Sequence, residues 1–322
     1  MQKYIARRIV LFIPTLFLAS VLVFLIVRVA PGDPVDTFFG TDPSIDAGVS
    51  FSQEQRDELR EELDLDHNVV VQYGLWVADV FTLNPGESFR TQEEVLEVVK
   101  ASLPLTLELA FATIIIAVAV ALPLGIISAI RQDTWLDYAL RVFSIGFLAM
   151  PIFWTGIIAL VIAFETFAWG PPVDYADVWE DPWLNVRKLW LPVLILALNS
   201  AAVIARMLRS ATLEVLRQDY VRTAFAKGLR ERTVVARHVV KNSLLPVVTV
   251  AGLQFAVLFS GTVITEQLFN LPGVGKKLIL SLDTNDFPII QFVVVLVALF
   301  VTIINLLVDL LYGYLDPRIR YE

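Results

Sequence analysis

Apolar residues fall along the chain in six long blocks with polar stretches between them. The blocks are residues 9–29, 105–130, 138–164, 189–208, 244–265 and 289–315. Each has about the 20 residues that a helix needs to cross a bilayer. The pattern therefore predicts an all-α polytopic membrane protein with six transmembrane helices. The first block follows Lys3, Arg7 and Arg8, as a signal peptide would. Its apolar run is longer than a signal core, and APGDP follows it rather than a small-residue cleavage site. It reads as an anchor that is kept.

Composition agrees with this pattern. The chain is 57% hydrophobic over 322 residues, with a mean hydropathy of +0.68. Soluble domains seldom exceed half apolar. Lys and Arg set the orientation, because they accumulate on the cytoplasmic side. They occur at the N-terminus, at Arg131 and Arg141, in a run from Arg206 to Lys241, and at Arg318 and Arg320. The run from Arg206 to Lys241 holds nine bases and three acids. With six spans all four groups share one side, so both termini are expected in the cytoplasm. The opposite side carries residues 30–103, with sixteen acids and four bases. No basic patch with interleaved aromatics suggests nucleic acid as a partner.

Residues 30–103 are too long for a plain loop and predict a small helical extracytoplasmic segment. SQEQRDELREELDL starts like a helix at Ser52, with acids early. VVVQYGLWVADVF is amphipathic, and Tyr73 and Trp76 suit a membrane interface. TQEEVLEVVKASLPLTLELA begins as a helix and runs into the second span. The acid excess of this segment fits a cationic substrate or a high-salt habitat. The chain thus divides into an anchor (1–29), an acidic outer segment (30–103) and a transmembrane domain (104–322).

Pro14, Pro123, Pro151 and Pro192 lie in or at the edge of spans and can kink them. Gly125, Gly146, Gly156 and Gly252 lie nearby. Such helices suit a cavity whose walls shift, or simply close packing. Polar residues in spans are costly. Arg28, Glu108 and Glu165 lie near outer ends, where they can snorkel. Asn199, Ser200, Gln254, Asn305 and Asp309 lie deeper. They either line a polar pathway, for which Asn199, Gln254 and Asn305 are the candidates, or bond helix to helix.

Several chemistries are disfavoured. There is no cysteine, and His67 and His238 stand far apart. H-E-x-x-H and G-x-S-x-G are missing, as are paired intramembrane aspartates, which argues against an embedded protease or lipid transferase. No metal site and no cofactor bound by this chain are expected. NLPGVGKKL resembles a phosphate loop, but Asn270 stands where its first Gly belongs and Lys277 where Ser/Thr belongs. A standalone channel or secondary transporter would predict inverted repeats, and none is clear.

The stretch between the fourth and fifth spans is basic and polar. It reads as helix, turn at Gly228, then helix into the membrane. Ala224, Ala226 and Gly228 would let another surface approach. Arg222, Lys227, Arg230 and Arg232 would pair with its acids. The alternative is an ordinary positive-inside loop. TAFAKGLRERTVVARHVVKNSLLP resembles the EAA-type cytoplasmic loop of permease subunits in ABC importers, whose pattern is E-A-A, three residues, Gly, and an I-x-L-P ending. Here the first Glu is missing, and the spacing from Gly228 to Pro246 is longer. That spacing is similar to the dipeptide/oligopeptide/nickel class. ARRIVLFIPTLFLASVLVFLIVRVAPGDP, TEQLFNLPGVGKKL and NLLVDLLYGYLDPRIRY resemble the same class, in particular its first permease.

The resemblance implies a second homologous permease, two ATPase subunits that use ATP and Mg, and an extracytoplasmic substrate-binding protein. It implies a multi-pass place among the lipids of a bacterial or archaeal cell membrane. The EAA-like loop, about 210–243, would seat on an ATPase through Tyr220, Arg222, Thr223, Ala224, Ala226, Lys227 and Gly228. This chain would form half of the pathway and catalyse nothing itself. Peptides are the leading substrate; nickel chelates, glutathione and oligosaccharides use similar machinery.

Overall fold

A computed structural model describes residues 2–29, 35, 60 and 65–315. The helix expected from Ser52 lies outside the described residues apart from Arg60 and Leu65, as do Arg318 and Arg320. Among the described residues the fold is helical. The elements are α1 (Gln2–Val29), α2 (Val69–Phe81), α3 (Val95–Ile130), α4 (Trp135–Ala149), α5 (Ile152–Phe167) and α6 (Pro182–Leu216). The short α7 (Asp219–Ala226) and α8 (Glu231–Val234) follow, then a π turn (Val235–Val240). The chain continues through α9 (Lys241–Leu268), α10 (Val274–Asp283) and α11 (Phe287–Leu315). An antiparallel bridge joins Glu87 to Glu94. "Outer" and "inner" below follow the charge-based orientation, with Val29 at the outer end of α1.

Helices α1, α3, α6, α9 and α11 are long and apolar enough to cross a membrane. The third span, expected as one helix over 138–164, is a pair instead. α4 and α5 meet at a bend of 107°. The cause is Pro151, which disfavours helical geometry in the residue before it. Met150 is accordingly extended, at φ −92° and ψ 128°. Helices α3 and α6 outrun their predicted spans. The 36 residues of α3 reach about 54 Å at 1.5 Å per residue, well beyond the hydrocarbon core. The outer turn of α6 is set by Pro182 at its start and by Asp181, whose carboxylate accepts from the amides of Trp183 (3.1 Å) and Leu184 (3.0 Å).

The bundle is centred on α3 and α6. Ala117 and Ala121 of α3 pack on Ala197, Ala201, Ile204, Ala205 and Leu208 of α6. A Cβ added at Gly125 would lie 2.8 Å from the Ala205 carbonyl oxygen and 2.9 Å from the Leu208 Cβ. Small residues let backbones approach where lipid removes any preference of apolar surface for protein. Gly252 likewise meets Val308 of α11, and Gly156 meets Leu268 of α9. These glycines are points of contact between helices, whereas Gly146 has nothing within 4 Å of an added Cβ. Further out, Phe255 and Ala256 of α9 pack with Ala110 and Ile304. The rings of Phe259 and Phe300 stack at 3.8 Å.

Polar ties fasten both ends. At the inner end Asp137 of α4 is fully buried. Its Oδ1 accepts from Arg209 Nε (2.8 Å) and Ser128 Oγ (2.5 Å), and its Oδ2 from Arg209 Nη2 (2.7 Å) and the Asp133 amide (3.1 Å). One carboxylate thus joins α3, α4 and α6. Arg8 of α1 pairs with Asp309 of α11 at 2.9 Å. At the outer end Ser88 Oγ donates to Asp286 Oδ2 at 2.5 Å, and the Phe89 amide to Oδ1 at 3.2 Å. That tie fixes the turn before α3 against the start of α11.

Two outcomes follow for stability, each read by thermal unfolding of the purified protein in detergent. Gly125→Ala is expected to cost about 1–3 kcal/mol by overpacking, whereas Gly146→Ala should be neutral or stabilising. Asp137→Ala should cost about 3–5 kcal/mol, because it strands the Arg209 charge. Asp137→Leu combined with Arg209→Met should recover much of that loss.

Candidate functional site: the basic loop and the polar groups of the spans

The loop between α6 and α9 is a folded unit with its own core. Val221 and Ala224 of α7 pack on Val234 and Val239, with Val215 and Leu216 beneath them. Gly228 has φ +77°, the left-handed conformation that glycine adopts without a steric penalty. Around it the Leu229 amide bonds the Ala224 carbonyl (3.4 Å) and the Gly228 amide bonds the Phe225 carbonyl (2.9 Å). This is a Schellman ending, with Gly228 at its left-handed position. The glycine is therefore required by the turn. Nothing lies within 4 Å of a Cβ added there, so its outer side is open.

Beyond α8 the chain enters the π turn and runs straight into α9. π turns are uncommon and often sit at functional positions. Asn242 Nδ2 donates to the Tyr220 hydroxyl at 3.0 Å, which ties α7 to the first turn of α9. The loop is thereby joined to two spans at once.

The structure brings the seven candidate loop residues together on one helix and its cap. Tyr220, Arg222, Thr223, Ala226, Lys227 and Gly228 are exposed. Ala224 is not: it is buried in the loop's own core, so it shapes the unit rather than its surface. Arg222 lies 3.5 Å from Asp219, both highly exposed, a pairing of little energetic weight. Lys227, Arg230 and Arg232 make no salt bridge among the described residues. Two residues that sequence reasoning missed share this surface. Phe225 and Leu229 are large, apolar and exposed. Their signal was an apolar residue on each side of Gly228 in an otherwise polar run.

The deeper polar residues do not form one site. Asn199 of α6 donates to the Phe147 carbonyl of α4 at 3.0 Å, a bond between helices. Gln254 of α9 is half-buried and Asn305 of α11 is exposed. No hydrogen bond joins these three. Glu108, read as an interface residue, accepts from Asn185 of α6 at 3.0 Å. An inner cavity of about 480 Å³ lies between α3, α4 and α6, with Gln132, Arg141, Ser144, Arg206, Arg209 and Ser210 on its walls. None of the three pathway candidates lines it.

The glycine-rich turn after α9 is closed on itself. Glu266, fully buried, accepts at Oε1 from Thr106 Oγ1 (2.8 Å) and at Oε2 from the Lys276 amide (3.0 Å). Thr106 Oγ1 in turn accepts from the Val274 amide at 2.9 Å. A Cβ on Gly273 would fall 2.3 Å from the Glu266 carboxylate. The phosphate-loop look of NLPGVGKKL thus comes from a nest of amides built around an internal carboxylate. In the outer connection before α6, burial and the neighbouring Asp177 carboxylate push the Tyr175 phenol above its ordinary range. Its hydroxyl donates to Asp177 Oδ1 at 2.8 Å.

The comparisons with known proteins accord with this geometry. Residues 121–321 match the family described as binding-protein-dependent transport system inner membrane component. Residues 1–110 match the N-terminal part described for such membrane components. A dipeptide transport system permease protein DppB of Alkalihalophilus pseudofirmus is 36% identical over 341 residues, covering 100% of both chains. A di/tripeptide transport system permease protein DppB of Pseudomonas aeruginosa is 38% identical over 345 residues, again covering 100% of both. A putative peptide transport system permease protein of Brucella abortus is 35% identical over 322 residues, with the same full coverage. The helical, multi-pass architecture and these matches along the whole chain lead to one conclusion: the chain belongs to the family of binding-protein-dependent transport system inner membrane components, which are non-catalytic permease subunits.

Proposed function

We propose that this permease serves an ATP-driven importer of di- or oligopeptides in a bacterial or archaeal cell membrane. It forms half of the translocation pathway, beside a second homologous permease. Its basic loop seats in a groove on one of two ATPase subunits. An extracytoplasmic binding protein delivers the substrate to the outer face. ATP and Mg belong to the ATPases.

One observation carries this reading. The loop is a self-packed unit that displays Tyr220, Phe225, Lys227 and Leu229 around an open glycine turn, and it packs against the end of α6 and is tied to the start of α9. An ordinary topogenic loop needs charge but no core of its own. The peptide substrate is supported by the names of the full-length relatives.

The mechanism follows from that geometry. Closure of the ATPases on ATP would carry the loop with it. The displacement would pass through the α6 and α9 ends into the bundle and open the pathway toward the binding protein. Hydrolysis would reverse it.

Affinity purification in mild detergent should recover a second six-span permease and one or two ATPases. A stable homo-oligomer with no ATPase at any expression ratio would instead indicate a channel or secondary transporter. In the reconstituted complex, Gly228→Trp should abolish most uptake while ATP hydrolysis continues, because the added side chain both strains the left-handed turn and projects into the docking space. Unchanged uptake would refute docking through this turn. Short peptides should bind the partner binding protein; exclusive binding of nickel chelates, glutathione or an oligosaccharide would move the substrate assignment.

A further inference from the structure

Helix α2 is out of keeping with a water-exposed acidic segment. Its 13 residues, VVVQYGLWVADVF, include one charged side chain, Asp79. Its position relative to α1 is set by aromatic contacts. The Tyr73 hydroxyl hydrogen-bonds Ser20 Oγ at 2.7 Å. The Tyr73 ring lies edge-on to Phe17 (6.1 Å) and Phe24 (5.5 Å), and Trp76 lies 5.6 Å from Phe24. All three α1 partners belong to its apolar span, Ile5–Leu25. Apolar residues continue to Val27, so Ser20 is about 10 Å inside the end of the run at 1.5 Å per residue. The Tyr73 hydroxyl therefore reaches to membrane depth.

The faces of α2 divide accordingly. Val70, Val77 and Phe81 form one stripe, seven and then four residues apart. Val70 is 79% exposed and Phe81 77%. Gln72 and Asp79 follow Val70 and Val77 by two positions each, which places them about 200° round the helix, nearly opposite. Tyr73 and Trp76, the residues that touch α1, occupy the side between. Gln72 is folded back onto the chain entering the helix, donating to the carbonyls of Leu65 (2.9 Å) and His67 (2.7 Å). Asn68 caps the helix by accepting from the amides of Val70 and Val71. The polar groups thus gather at the entry and on one face, and the opposite face is bare hydrocarbon. On α1 too, Leu18 and Leu22 are exposed apolar residues.

We propose that α2 is an in-plane helix embedded in the outer leaflet, with Val70, Val77 and Phe81 in contact with lipid acyl chains. Helices that lie in the membrane plane bury their apolar face roughly 5–10 Å into the headgroup and acyl boundary, close to the depth set by Ser20; α2 reaches it with an apolar face and two polar groups, Gln72 and Asp79, opposite rather than with a Lys/Arg-rich face. Helix α2 then rests on the bilayer beside α1. The inference concerns lipid contact and does not depend on which substrate is carried.

The chain has no cysteine, so single-site spin labels can be placed without background from it. Val70→Cys and Phe81→Cys would be labelled in the assembled transporter in phospholipid nanodiscs, with the unmutated complex as blank. Leu22→Cys on α1 gives the lipid reference and Glu93→Cys the aqueous one. Collision with oxygen should exceed collision with a water-soluble nickel chelate several-fold at both α2 sites, as at Leu22→Cys. A preference for the chelate, as at Glu93→Cys, would place α2 in water and overturn the proposal. Exclusion of both reagents would overturn it too, by showing that the second permease or another subunit covers the stripe.

Discussion

Everything in this bundle is referred to the close contact between α3 and α6, which Gly125 and the alanines facing it allow. In lipid no apolar face gains by leaving its surroundings, so helices are sorted by close fit and by the polar bonds they can complete. The glycine beside the Ala205 carbonyl supplies the fit. Asp137 and Arg209 supply the bond, with Ser128 of α3 as a third member. The outer elements then key to this pair: Glu108 reaches Asn185 across α3 and α6, and Thr106 of α3 reaches Glu266 of α9. A change that widened the central spacing would strain ties that have no direct contact with it.

The basic loop inherits its geometry from the same helices. Its mini-core rests on Val215 and Leu216, where α6 ends, and its far end is Val239, where α9 is about to begin. The unit is packed against the end of α6 and tied to the start of α9, with two residues, Arg217 and Gln218, between α6 and α7. The open side of Gly228 and the exposed rings of Tyr220 and Phe225 stand on one side of this unit, away from its core. This separates two roles that small residues play here. Ala224 is small so that the loop can close upon itself, and Gly228 is glycine so that the chain can turn.

Much of the architecture was legible in the order of residues, because bilayer thickness imposes a length on apolar blocks that no soluble core imposes. Five spans stand close to where that length placed them. The entry of 95–104 into the second span was legible too, through the early acids before its apolar run. The third block misled at Pro151. A proline inside a span either bends it or breaks it, and only the neighbours decide which. Residues whose part depends on distant partners were not legible. Asp137 and Glu266 look like ordinary polar residues near span ends until Arg209, Ser128, Thr106 and the turn at 273–276 are brought beside them. Asn199 was recognisable as a polar residue at depth, but its partner is a backbone carbonyl of a helix fifty residues away. The loop was found by its charge and its glycine, yet Phe225 and Leu229 passed as background in a chain so rich in apolar residues.

The nest around Glu266 has a mechanical meaning. A connection of a few residues between two helices would ordinarily act as a slack cord, absorbing motion at one end before the other responds. Here the carboxylate is clasped by the very backbone that follows it, and by a hydroxyl from α3. The slack has been knotted out. The outer end of α9, the short helix α10 and the neighbouring stretch of α3 are therefore clasped into one unit, so the position of α10 is written directly into that of the fifth span.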